Sequence, residues 1–397
     1  MTHSTVTIER WPDAVRAIVP AGTPAVAPAG PGVMVLEVLG GLLTWNVLAA
    51  QELPVAIIDD VDAAQEWVWA LYGELVATAL DAVRPRAREL DRDLAEFDTA
   101  ATGPDTPLDE PTGVDDGVYG ADAVDRGSQT LPADSRQRRL TEAATAPGLP
   151  ALVASARRLA YAHWASRWWP VSVLDGIAAL DQALLDRDIA LLTEECESLV
   201  DGDDAVPPPV REPVESSLRA SDYALAAGDG DRIGAAMVLA RGTGGWDWRR
   251  CPPGLVDASE SAVSWQVLRA AGVTTVAIAV AAHPDLPAGV PEHLRPWARV
   301  DTGRGELLTE LRPGGDSWTG ESDLPASAST VDVAIGVPGF GPDLEADPQA
   351  AAQGAVRQRI RDFAAERLRT ASAQVGDDGP FAPLLAEIDA AAGDSDF

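Results

Sequence analysis

The sequence predicts an α+β fold with helical N-terminal and middle regions, then an antiparallel β-sandwich, then a C-terminal helix. Three observations lead there. Apolar residues recur at intervals of three and four in most of the chain before Gly242, the period shortens to two beyond it, and Gly and Pro then punctuate the chain about every ten residues. A chain of 397 residues exceeds one ordinary core. The expected segments are a 1–97 domain that is α/β or mostly helical, a 98–136 acidic flexible linker or loop, and a 137–245 helical domain. An Ig- or fibronectin-like sandwich over 246–345 and a helix with an acidic tail over 346–397 complete the chain.

Val6–Arg10 alternates as a strand does, and Val33–Ala50 reads as a buried strand–turn–helix, interrupted by Glu37, Gly40, Gly41 and Asn46. Asp59 or Asp60 can cap a long helix whose stripe is Val68, Leu71, Leu75, Ala79 and Ala82, with Pro85 ending or kinking it. Between Asp98 and Asp134 nine acids face one arginine, a composition that buries too little apolar area to order itself. In the middle block Tyr161, Trp164 and Trp168 share a helix face that Pro170 stops. From Asp181, the residues Leu185, Ile189, Leu192, Cys196 and Leu199 keep a 4-3-4-3 spacing, the seam of a helix on a neighbour. Glu212–Ala227 and Arg232–Arg241 read as a helical hairpin. Beyond it Ala262–Leu268, Val273–Ala281, Ala298–Val300, Glu306–Leu311, Ser317–Gly320 and Thr330–Val337 read as strands, and Gln353–Thr370 as a helix.

Composition narrows the chemistry. Thirty basic residues against 62 acidic ones give a net charge of −32, which opposes nucleic acid. No lysine occurs, as a GC-rich genome favours, so Walker A, kinase, Schiff-base and serine–lysine chemistries are excluded for this chain. Two cysteines in so long a chain favour a reducing compartment. The N-terminus shows no apolar leader, and no stretch is long and apolar enough to suggest a membrane span, so a cytoplasmic location is expected.

The four histidines have no zinc-site spacing, and neither Cys196 nor Cys251 stands in a CxxC pair. Asp186, Asp188 and Glu197 imitate a calcium loop, but Leu191 stands where that loop needs glycine. Gly228–Gly234 imitates a dinucleotide fingerprint without the preceding strand. No metal or cofactor is therefore expected. Cys251, beside Arg249 and Arg250, could pair with His163 or His293 as a thiol nucleophile, although its position before Pro252 reads as a domain junction.

Tryptophan is the compositional oddity, supplying 12 of the 21 aromatic residues. Trp67 and Trp69 cannot both face one core on a helix, nor can Trp168 and Trp169. One member of each pair must cover a second surface, on this chain or on a partner. The interaction candidates are Trp67, Trp69, Trp164, Arg167, Trp168, Trp169, Trp246 and Trp248.

Two stretches, His163-Trp-Ala-Ser-Arg-Trp-Trp-Pro through Leu191-Leu-Thr-Glu-Glu-Cys-Glu and Cys251-Pro-Pro-Gly-Leu-Val-Asp-Ala-Ser-Glu-Ser-Ala-Val-Ser-Trp265, carry a resemblance. They resemble accessory proteins of high-GC bacteria encoded beside MoxR-type AAA ATPases and von Willebrand factor A proteins. The resemblance spans about a third of the chain and brings no catalytic residues. It implies an accessory subunit of an ATPase-centred multi-protein system, with an AAA ATPase or a von Willebrand factor A protein as partner. Together with the missing chemistry and the excess tryptophan, it leads to the expectation of a non-enzymatic adaptor or assembly subunit. A thiol hydrolase using Cys251 and a small-molecule sensor with a Trp-lined pocket are the alternatives.

Overall fold

The computed structural model describes residues 4–11, 15–23, 30–83, 138–200, 237–287, 289–325, 331–342, 350–371, 373 and 379–393. The acidic segment 98–136, the Pro207–Pro209 break and the helix expected over Glu212–Ala227 lie outside them.

Strands β1 (Thr5–Arg10), β2 (Arg16–Pro20), β3 (Val33–Val38), β4 (Gly41–Asn46), β5 (Val55–Ile58) and β6 (Arg138–Ala144) form a six-stranded antiparallel sheet ordered β3-β4-β5-β2-β1-β6. Val6, Ile8, Met34, Leu36, Leu43 and Trp45 face its core at alternate positions. The expected strand–turn–helix over 33–50 is instead a β3–β4 hairpin, pairing Val33 with Asn46 through Val38 with Gly41. Its turn requires glycine: Gly40 has φ +69°, and a Cβ there would lie 2.6 Å from the Asp60 carbonyl oxygen.

Helices α1 (Val61–Tyr72) and α2 (Glu74–Ala82) follow. Asp60 caps α1, its carboxylate accepting the Asp62 and Ala63 amides. The single stripe read through Ala82 breaks because Gly73, at φ +96°, ends α1. Val68 and Leu71 are buried, whereas Leu75 is exposed. Helix α3 (Pro150–Trp168) packs across β3 and against α4 (Gln182–Glu195), which Asp181 caps through the Leu184 amide. Leu185, Leu192, Cys196 and Leu199 are buried along the expected seam, and the short α5 (Glu197–Val200) continues it.

The remaining strands are β7 (Met237–Gly244), β8 (Val263–Ala270), β9 (Val273–Ala281), β10 (Trp297–Asp301), β11 (Glu306–Glu310), β12 (Arg312–Gly314), β13 (Ser317–Leu324) and β14 (Asp332–Gly336). They form two further antiparallel sheets, ordered β12-β13-β9-β8-β7 and β11-β10-β14. Helices α6 (Ala350–Ala371) and α7 (Leu385–Gly393) return to the α3–α4 pair. There the fully buried Glu387 accepts from Tyr161 Oη at 2.7 Å and from Arg367 Nε at 2.8 Å.

The expected division into helical front and middle regions followed by one sandwich is therefore overturned. Among the described residues strands begin at Thr5, helices are scattered among them, and the sheets number three. The physical reason lies in the strands that were missed. β2, β4 and β5 are only four to six residues long, and apolar runs of that length do not distinguish strand from helix. β6 and β7 are sheet-edge strands. Met237, Val238, Leu239 and Arg241 of β7 are all exposed, so backbone pairing with β8, not an alternating side-chain pattern, makes it a strand.

Candidate functional site: a tryptophan-lined cleft

Pro170 ends α3 and leaves Trp168 and Trp169 half-buried at its C-terminus. Opposite them runs the long connection from β7 to β8, which carries Trp246, Trp248 and Cys251. Asp247 shapes the start of this connection. It caps the turn at Trp248–Arg250 through the Arg249 amide at 3.0 Å and grips the Arg249 guanidinium at 2.6 to 3.1 Å. Between the two stretches lies a half-open cleft of about 340 Å³. Arg167, Leu180, Gln182, His283, Asp285 and Phe340 also line it.

A buried carboxylate holds the walls together. Asp257 is 1% exposed, and its Oδ1 accepts from Ser172 Oγ at 2.7 Å and from the Ser259 amide at 2.8 Å. Its Oδ2 accepts the Val173 amide at 2.8 Å. The Asp257 carbonyl takes the Trp246 indole N–H at 2.7 Å, and the Ala258 amide reaches back to the Val171 carbonyl at 3.1 Å. Full hydrogen bonding is what makes a buried carboxylate tolerable. Here it ties the turn after α3 to the β7–β8 connection. Behind it Arg361 of α6, also buried, donates to the Ala258 carbonyl and to Glu260, both at 3.2 Å, and pairs with Asp175 at 2.9 Å.

The cleft is poorly equipped for nucleophilic chemistry. Cys251 is buried, and desolvation pushes its thiol pKa up despite nearby Arg250, so the thiol stays protonated at neutral pH. Neither histidine offered as its partner reaches it: His163 is exposed on α3, and His293 is exposed in a turn after Pro291. The imidazole that does line the cleft is His283, whose pKa burial lowers. Its Nδ1 already accepts the Asp285 amide at 3.1 Å, and among the described residues no hydrogen bond joins it to Cys251. Cys196 is a core residue of the helical seam, with its thiol pushed up to about 12 by burial first and Glu195 second.

Of the eight interaction candidates, the structure brings Arg167, Trp168, Trp169, Trp246 and Trp248 to this cleft. The Arg167 guanidinium sits 5.0 Å from the Trp168 ring. Trp67 and Trp164 are core residues instead, donating to the Leu39 carbonyl at 2.8 Å and the Pro31 carbonyl at 2.7 Å. Trp69 is the exposed member of its pair and lies elsewhere. Sequence reasoning missed Asp257, His283 and Phe340. The Asp257-Ala-Ser259 step has the form of a turn in which an aspartate accepts the amide two residues on, but its other two donors are 84 and 85 residues distant in sequence. A larger opening of about 1200 Å³ at one end of the six-stranded sheet is lined mainly by Ala, Gly, Pro, Thr and Val, with Trp45 as its one aromatic.

Among the described residues no group of three His, Cys, Asp or Glu side chains could hold a metal ion, and no helix is long and apolar enough to cross a membrane. Protein-family models, curated proteins and solved structures yield no match to the chain.

Proposed function

We propose that this chain is a non-enzymatic adaptor or assembly subunit, and that the tryptophan-lined cleft receives a large apolar side chain presented by a partner protein. The observation that carries this reading is the convergence of Arg167, Trp168, Trp169, Trp246 and Trp248, from two distant stretches, on one clamped cleft. Trp and Arg are enriched among interface hot spots, where truncation costs about 2 kcal/mol or more. The cleft volume of about 340 Å³ leaves room for an anchoring side chain. The overall charge of −32 favours approach of partners with basic surfaces. The AAA ATPases and von Willebrand factor A proteins named by the resemblance are the first partners to test.

The test is co-purification of the tagged full-length chain from its native host, followed by affinity measurement with the partner recovered. Trp168→Ala and Arg167→Ala should each weaken that complex about tenfold or more. A small-molecule sensor is the second reading, because the volume also falls at the low end of ligand pockets. A small molecule that survives purification in wild type and is lost in Trp168→Ala, with no protein partner recovered, would favour it.

A further inference from the structure

A second surface lies apart from the cleft, where α1, α2 and the start of α3 meet. Trp69 is 45% exposed, Leu75 62% and Leu149 47%. Single exposed apolar residues need no explanation, but these three belong to one locality. The Leu149 amide donates to the Ala70 carbonyl at 3.0 Å, and the Ala146 amide to the Tyr72 carbonyl at 3.0 Å, so residues 146–149 are stitched to the end of α1. Leu75, two residues beyond Gly73, lies in the first turn of α2.

The Trp69 ring is also held in place. It lies so close to Gly148 that a Cβ there would sit 2.9 to 3.1 Å from Cη2, Cζ3 and Cζ2. One part of the ring is therefore packed on bare backbone while almost half of the residue stays open to solvent. Pre-organised aromatic area gives affinity at low entropic cost.

The rim of this platform is acidic. Glu66 lies one turn before Trp69 on α1 and is exposed; Glu74 directly precedes Leu75 and is exposed. We infer that this platform is a docking surface for a basic amphipathic helix of a partner protein, its apolar stripe on Trp69, Leu75 and Leu149 and its Lys or Arg flanks facing Glu66 and Glu74. A helix suits it because a narrow apolar stripe between two charged flanks is what an amphipathic helix presents. An anionic membrane surface is disfavoured by the same acids.

The probe is a fluorescently labelled peptide of about 18 residues with Leu at helical i, i+3, i+4, i+7 spacing and Lys elsewhere, titrated into the full-length chain by anisotropy. Trp69→Ala should weaken binding at least about tenfold while leaving the net charge unchanged. Gly148→Ala, whose methyl displaces the ring, should weaken it several-fold. Glu66→Gln with Glu74→Gln should weaken it and flatten its salt dependence. Glu321→Gln, at an exposed position on a different sheet, should leave it unchanged. Equal affinity of wild type and Trp69→Ala, or no binding to wild type, overturns the proposal. So does Trp69-dependent binding to anionic lipid vesicles. The glutamate variant alters only exposed side chains, so it remains decisive if circular dichroism shows Trp69→Ala to be misfolded.

Discussion

Replacing Asp257 by alanine removes the acceptor that joins the turn after α3 to the β7–β8 connection. Three donors then lose their partner. The Ser259 amide and Ser172 Oγ belong to residues 2% and 1% exposed, whereas the Val173 amide borders solvent. Each buried orphan costs about 1–3 kcal/mol, and the solvent-facing one costs little. Removing the carboxylate also lifts its own desolvation cost, so the net loss should be about 3 kcal/mol, a large share of an ordinary 5–15. Asp257→Asn keeps Oδ1 for Ser172 and Ser259 and loses only the bond to Val173, so it should cost about 1 kcal/mol. Urea unfolding followed by tryptophan fluorescence measures both, and binding to the cleft should fall in the same order. A loss under about 0.5 kcal/mol for Asp257→Ala, or the same loss for both variants, would refute the idea that this carboxylate clamps the cleft.

Other outcomes follow from the same structure. Arg361→Ala should destabilise by about 3 kcal/mol, discounted from the usual buried-pair loss because Glu260 and Asp175 are about a third exposed. Arg361→Lys should recover less than half of this in urea unfolding, since one ammonium cannot reproduce the fork. Neither Cys196 nor Cys251 should react with a thiol reagent in the native protein at neutral pH, and both should react once it is unfolded. His283, lowered by burial below its ordinary 6.5, binds its proton more readily when unfolded. Stability should therefore fall as pH drops from about 6.5 through the folded value, and His283→Gln should flatten that slope in pH-dependent melting. Asp188 has the opposite sign. Burial first, then Glu387, raises it above its ordinary 3.8, against the Ala386 and Leu385 amides and Arg158. Stability should fall as pH rises from the ordinary value through the raised one, and Asp188→Asn should remove that component.

Much of the local structure was legible because burial imposed a period. The 4-3-4-3 seam that runs through α4 into α5 is a face pressed against neighbours, and Val273–Ala281, read as a strand from its β-branched residues, has the bounds read from sequence. The edge strands β6 and β7 were not legible, because their residues answer to one backbone partner and to solvent instead of to a buried face. Gly73 illustrates another limit. A glycine inside a helical pattern is ordinarily tolerated; here Gly73 takes φ +96° against the Ala146 carbonyl, which a Cβ would approach to 2.1 Å, and neither is visible in the sequence. For the cleft, the tryptophans and Arg167 stood out by chemistry alone. Asp257 did not, since aspartate is common in this chain and its role depends on a turn more than 80 residues earlier.

A photo-crosslinking amino acid at position 167, activated in living cells, tests the central claim most directly. If the cleft receives a partner protein, position 167 should give one discrete protein adduct that Trp168→Ala abolishes, while the exposed position 321 gives none. No adduct at 167, or the same adducts from both positions, would contradict it.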